Sequence, residues 1–363
     1  MNIENIRRGI KNSLKWSLYR HKIFKECNRK FMFKYLDFLI LKEQKFLVTL
    51  LKKVKKLRHF QGDLVHLFIR IIINNYINNI SLNFEDLKDK FRTQFWNNIN
   101  NSKNFNLETL TNSNLNLKNI SDSILYRNNY IWEFLYEYSI SNKELEDILN
   151  QSLTALINFW NYFNSNILPI LKDFEILWLD SGLISNKSNK NSYNIIEYNL
   201  IFHNELQEFS ENKKKQNEKN ILILLNPDFV IINKSEKQVY IYDWKTHKKE
   251  DIDLNQFYLY TLYYNNLYKD FKISNFMVYL FPELQEEILS LTINKEFIEF
   301  IIKSYTQIKN TIKRAYLELK EQIDDNQGML KEDFLYKFYS YFTMTNDLSV
   351  CSFCEFRKIC FDL

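Results

Sequence analysis

The sequence predicts a mixed α/β fold, a central sheet flanked by helices, on three observations. Two alternating apolar runs, Asn220 to Ile232 and Gln238 to Trp244, are separated by the polar Asn-Lys-Ser-Glu-Lys, the pattern of two strands joined by a turn. Much of the first half, and the stretch from Lys295 to Ile323, repeats apolar residues at helical spacing. After position 194, strand-like and helix-like segments interleave, which suits an α/β core better than separate layers.

A chain of 363 residues can bury a large core, and it reads as one domain, 1–363, carrying a mostly helical insertion over 75–192. Lys, Asn, Ile, Phe and Tyr are abundant while Gly (4) and Pro (3) are few, so Asn-rich segments carry little information here. A net charge of +5 suits a polyanionic partner but is too mild to demonstrate one. The longest apolar run, Leu64 to Ile73, is broken by His66 and Arg70 and is too short to span a bilayer, so no membrane partner is expected. The N-terminus shows no secretory pattern, and a reducing compartment is expected.

In chain order, Lys11 to about Phe60 reads as helical and contains Cys27. QGDLVHLFIRIII, with Gly62 and His66, opens a strongly apolar helix. A histidine there is ordinarily a satisfied core residue, and a lone cysteine on a helix a small buried hydrophobe. The insertion includes YIWEFLYEYSI and ELEDILNQSLTALINFWNYF, whose aromatics at helical spacing suit either core packing or stacking on unpaired bases. Asn194 to Phe202 alternates like a strand and holds Glu197, and ENKKKQNEKN, ending at Asn220, reads as a solvated connection. LNQFYLYTLYY reads as a helix, NFMVYLFP and EEILSLTI as two strands, and Lys295 to Ile323 as a long helix.

The chemistry concentrates between Asn226 and Tyr260. Asp228 interrupts the first apolar run, and Asp243 and Lys245 end the second with one residue between them, so they project to one face. Carboxylates on neighbouring strands suit a hard divalent cation, and a lysine beside its bound water can activate that water or offset charge on a phosphoryl oxygen. Gln256 and Tyr260, four apart, share a helix face. The closing segment, 351–363, contains CSFCEFRKIC, which spaces Cys351, Cys354 and Cys360 as C-x2-C-x5-C, and Cys27 is the one other cysteine. Free thiols, a Cys₄ zinc site and an iron-sulfur cluster all remain open on spacing alone.

Taken in order, Cys27, Gly62-x-x-x-His66, Pro227-Asp228, Asp243-Trp244-Lys245, Gln256-x-x-x-Tyr260 and the closing cysteine trio resemble the PD-(D/E)XK nuclease superfamily. The resemblance is to its RecB-like branch, with the AddB and CRISPR Cas-four nucleases. It implies a restriction-endonuclease-like core over residues 20–75 and 190–363, and metal-dependent hydrolysis of DNA, with exonuclease action the expected form. It implies Mg²⁺ or Mn²⁺ held by His66, Asp228, Asp243 and the Trp244 carbonyl, with Asp228, Asp243 and Lys245 catalytic. Gln256 and Tyr260 would position the nucleic acid, Lys248 and Lys249 would contact phosphates, and Glu197 would be an outlying acid.

The cysteines, by the same resemblance, would carry a 4Fe-4S cluster, with zinc the less favoured occupant. A cytoplasmic or other reducing, DNA-containing compartment follows, in repair, recombination or CRISPR-type processing. No GxxxxGK[ST] occurs, so a helicase or a CRISPR or recombination partner would be a separate chain. One departure stands out. Related nucleases place a glycine three residues before the aspartate, where this chain has Leu225. It leaves an alternative, an inactive nuclease-like DNA-binding subunit of a larger complex.

Overall fold

The computed structural model describes residues 9–10, 13–36, 39–40, 42–105, 130–179, 182–183, 197–200, 221–246, 253–325 and 339–361. From the N-terminus these form β1 (Lys15–Trp16), α1 (Leu18–Glu26), α2 (Asn28–Tyr35), α3 (Lys42–Leu51), β2 (Val54–Lys55), α4 (Leu57–Ile77) and α5 (Phe84–Lys103). Next come β3 (Tyr130–Ile131), α6 (Trp132–Leu135) and α7 (Asn142–Tyr162), the last extended by a π turn, Phe163–Ile167. Five strands follow: β4 (Glu175–Leu179), β5 (Gly182–Leu183), β6 (Glu197–Leu200), β7 (Ile221–Leu224) and β8 (Phe229–Asn233). The chain then forms β9 (Gln238–Lys245), α8 (Asn255–Leu267), β10 (Lys272–Tyr279), β11 (Gln285–Leu289), α9 (Lys295–Asp325), α10 (Leu348–Ser352) and α11 (Arg357–Phe361).

The mixed α/β prediction holds. A six-stranded sheet has the order β11-β10-β9-β8-β4-β5, with β9 and β10 parallel and the other pairs antiparallel. The turn between β8 and β9 lies where the polar pentapeptide placed it. Asn233 Oδ1 accepts from Ser235 Oγ at 2.7 Å and Glu236 N at 2.9 Å, and Lys237 takes a positive φ of 53° to complete the reversal. The parallel β9–β10 pair needs a crossover, and α8 supplies it.

Three expectations change. The run from Asn220 to Ile232 is two strands: β7 pairs with β1 and β6 in a separate sheet, and β8 enters the main one. Pro227 lies between them; with no N–H to give a ladder, it ends pairing there. The region 75–192 is not helical to its end, because β4 pairs antiparallel with β8 inside the main sheet. Its sequence, Glu-Ile-Leu-Trp-Leu, is a short apolar run of the kind periodicity cannot assign. The N-terminal segment, otherwise helical, also contains the two-residue strands β1 and β2.

Alternation in the central strands divides the core. Phe229 and Ile231 of β8, with Tyr242 and Trp244 of β9, pack with α4, α5 and α7. Val230 and Ile232, with Val239 and Ile241, pack with α1, α2, α8 and α9. By the same two-residue period, Asp228, Asp243 and Lys245 fall on the second face, where α8 lies. Antiparallel pairing of Phe229 with Tyr242 sets the start of β8 beside the end of β9, so the three residues meet at one end of the sheet.

Candidate functional site

At that end, a continuous polar network joins strands, helix and loop. Asp228 Oδ2 accepts from the Trp244 backbone N–H at 2.7 Å, and Asp228 Oδ1 lies 3.2 Å from His66 Nδ1 of α4. Asp243 pairs with Lys245 through Oδ2 and accepts from Gln256 Nε2 at 2.9 Å through Oδ1. Lys245 Nζ also donates to Gln256 Oε1 at 3.3 Å. Gln256 Nε2 reaches the Tyr260 hydroxyl at 2.5 Å, and that hydroxyl donates to the Asn226 carbonyl at 2.9 Å. Both carboxylates are buried, with Asp228 7% and Asp243 3% exposed.

Burial of one carboxylate beside another has a cost in the charged state. Burial first, and then the charge of Asp228, push the Asp243 pKa up to about 6, against the opposing pull of Lys245 and His66. The Tyr260 phenol is pushed well above its ordinary value, by burial and then by the two aspartates. Two acids that repel each other, Asp243 paired with Lys245 and Asp228 beside His66, form a site that gains from added positive charge. Carboxylate oxygens are donors a hard divalent cation accepts, while imidazole nitrogen suits transition metals. Among the described residues, no three His, Cys, Asp or Glu side chains are already arranged to hold a metal ion.

Three contributors, Glu133, Thr246 and Asn226, were not singled out by sequence. Glu133 of α6 accepts from the Leu57 backbone N–H at 2.9 and 3.1 Å, supplying the cap for α4 that Lys56, at the N-cap position, does not make. A strongly apolar helix starting without Ser, Thr, Asp or Asn was the available signal of an external acceptor. Gly62 lies one turn before His66, and a Cβ there would stand 3.1 Å from Thr246 Oγ1, so α4 packs against the residue that follows Lys245. That close approach gives the glycine a reason in packing. Asn226 contributes only a carbonyl, which no side-chain pattern reveals.

The four cysteines also come together. Cys27, Cys351, Cys354 and Cys360 are free thiols lining one small cavity, shared with Lys30, Phe33, Val350, Phe356 and Arg357. Burial and then Glu355 push the Cys354 thiol up to about 12, and burial with Cys27 and Cys351 nearby, against Arg29, pushes Cys360 up to about 11. Helices from both ends of the chain build the walls. Glu355 pairs with Lys34 at 2.8 Å and Lys30 at 3.4 Å, and Arg29 Nε donates to the Phe342 carbonyl at 2.7 Å. Residues 130–138 close the other side: the Tyr136 hydroxyl donates to the Glu355 carbonyl at 2.7 Å, and Trp132 Nε1 to the Cys354 carbonyl at 3.5 Å.

The structure thus gathers His66, Asp228, Asp243, Lys245, Gln256 and Tyr260 at one place and the four cysteines at another. Tyr260 is 2% exposed, and its hydroxyl is engaged inside the protein. The Trp244 ring packs against Phe159 and Tyr242, while the residue's backbone N–H holds Asp228. Glu197 lies on β6 opposite Leu224 in the smaller sheet. Lys248 and Lys249 fall outside the described residues. No helix among those described is long and apolar enough to cross a membrane. No protein-family model and no curated protein matches the chain.

Proposed function

We propose that the protein is a metal-dependent DNA nuclease, an exonuclease in its expected form, on a restriction-endonuclease-like core resembling the RecB-like PD-(D/E)XK enzymes. The observation that carries this reading is the convergence of Asp228, Asp243 and Lys245 at one end of the sheet, with His66 brought in by α4. Asp228, Asp243 and His66 would hold Mg²⁺ or Mn²⁺, with the Trp244 carbonyl as a further oxygen. Bound there, the cation supplies Lewis-acid polarisation of the phosphate and stabilises the leaving oxygen.

The chain's own residues do the rest. Lys245 Nζ stands beside Asp243, where it orients the attacking water or faces charge growing on a phosphoryl oxygen. Gln256 bonds both Asp243 and Lys245 and so fixes their separation. Tyr260, being buried, acts through Gln256 and through the Asn226 carbonyl, which anchors the loop ahead of Asp228. Lys248 and Lys249, close after Lys245 in the chain, are assigned to phosphate contact.

Cys27, Cys351, Cys354 and Cys360 suit a Cys₄ centre in number and kind, and we assign them a 4Fe-4S cluster, with zinc the other sulfur-bound candidate. Its chemistry would be structural, tying together segments more than three hundred residues apart. The non-cleaving reading rests on Leu225, yet Leu225 is 7% exposed and packs in the core. Leucine there is explained by packing, so cleavage remains the better reading. A helicase or CRISPR or recombination subunit would act as a separate partner.

The test is degradation of end-labelled linear DNA, single- and double-stranded, in Mg²⁺ and Mn²⁺, by anaerobically purified protein beside Lys245→Ala. Metal-dependent cutting that disappears in the variant is expected. A folded wild type that cuts neither substrate in either metal overturns the proposal.

A further inference from the structure

Outside the sheet-end site, the exposed aromatic surface beside the cysteine cavity has the composition of a ligand platform. Phe353, between Cys351 and Cys354, is 47% exposed, and Tyr138 is 46% exposed. Their ring centroids lie 6.5 Å apart, and both rest on the buried Trp132, at 5.5 and 5.0 Å. Large rings are normally covered in a folded chain, and this pair is held in place from below while its outer surface meets water. Its setting is cationic. Lys56 Nζ stands 4.8 Å over the Phe353 ring, and Arg58, also exposed, bonds the neutral amides of Gln61 and Gln151.

His59, exposed next to Arg58 on α4, lies near the same lysine. Partial enclosure, and then Lys56, with Lys34 and Lys55 adding to it and Asp63 opposing, hold it below its ordinary value. Acids are present as well: Asp63 pairs with Lys55, and Glu137 precedes Tyr138. Positive side chains flanking open aromatic rings are what an unpaired nucleic-acid strand requires, stacking for its bases and charge for its phosphates. A protein partner of apolar character has no comparable use for the lysines and arginine.

Position agrees with this. Lys56 stands at the N-cap position of α4, and His66 lies ten residues further along the chain, about 15 Å at a helical rise. A strand lying on Phe353 and Tyr138 can therefore continue along α4 toward the sheet-end carboxylates.

We propose that Phe353 and Tyr138 form a base-stacking subsite for single-stranded DNA, with Lys56 and Arg58 contacting its phosphates. As a step leading to cleavage this rests on the nuclease reading; as a binding site it stands alone. It also gives the cysteine cavity a task, since the loop that bears Phe353 is held between two of the cavity's thiols.

The experiment is fluorescence anisotropy on the intact protein in chelator, with a labelled thymidine oligonucleotide and an abasic oligonucleotide of equal length and charge. Wild type is expected to bind the thymidine strand at least about tenfold more tightly than the abasic one. Phe353→Ala and Tyr138→Ala should each shrink that ratio severalfold, and Phe353→Trp should preserve it. Equal binding of the two strands by wild type, or an unchanged ratio in both alanine variants, overturns the proposal. If Phe353→Ala does not fold, Tyr138→Ala decides by the same criterion. Because binding is read without divalent metal, its failure leaves metal-dependent cutting standing, and absence of cutting leaves the subsite standing.

Discussion

The sheet-end cluster and the cysteine cavity are both built from residues far apart in sequence, but they are held in opposite ways. At the sheet end the side chains hold each other: Asp228 by the Trp244 N–H, Asp243 by Lys245 and Gln256, Gln256 by Tyr260, and Tyr260 by the Asn226 carbonyl. Around the cysteines the walls are held, through Glu355, Arg29, Tyr136 and Trp132, while among the described residues the thiols themselves make few bonds. Cys27 Sγ accepts a long contact from the Lys30 N–H, at 3.5 Å. A site on strands is positioned before its ligand arrives; a site between helices from the two chain ends is positioned in part by its ligand.

Asp243→Asn tests the first half of that contrast and carries the largest expected effect. Cleavage should fall at least about a hundredfold, as expected when a charged group at the reacting centre is removed. The fold should become more stable at neutral pH in chelator. Because burial raises the folded pKa of Asp243 above its ordinary 3.8 to about 6, the folded state binds the extra proton between those values. Its contribution is therefore full below about pH 4 and is lost as pH rises through 6. Thermal melts from pH 4 to 7 should show wild type losing stability relative to Asp243→Asn; parallel profiles would remove the strain from the account.

Cys27→Ala tests the second half. If the thiols hold the proposed metal centre, loss of Cys27 should release the metal and lower stability by about 2–5 kcal/mol, the scale of removing a long-range cross-link. Metal analysis and urea melts measure both. An undiminished metal content would show that Cys27 is not a ligand. Colour then sharpens the assignment, since an iron-sulfur protein is brown and a zinc protein colourless.

Smaller effects separate positioning from chemistry. Tyr260→Phe removes the hydroxyl linking Gln256 to the Asn226 carbonyl and should cost about 1 kcal/mol. Cleavage should fall about tenfold, mainly in kcat, because Asp243 and Lys245 keep their identity and lose their restraint. A change confined to KM would return Tyr260 to strand binding. Gly62→Ala should change stability by less than about 1 kcal/mol, since helix propensity gained is offset by the shift required of Thr246. A severalfold loss of cleavage with that small change would identify the α4–β9 approach as what sets His66.

Spacing along one element was legible from the residues alone. Two-residue alternation placed Asp243 and Lys245 on one face, four-residue spacing aligned Gln256 with Tyr260, and Asn-Lys-Ser-Glu-Lys marked the turn between β8 and β9. The cysteine count matched Cys27 to the C-terminal trio, and the structure lines one cavity with all four. These features survive because they depend on strand and helix periods, or on a residue type used four times in the chain.

Only the tertiary structure decided the rest. It split the run before Ile232 between two sheets, brought β4 into the main sheet from a region read as mostly helical, and turned Tyr260 inward to bond a backbone carbonyl. It also placed Glu133 at the start of α4, and Phe353 with Tyr138 over Trp132. Each of these depends on which distant segment covers a given residue. Burial and hydrogen-bond partners are properties of the packed whole, whereas a sequence reports only neighbours along the chain.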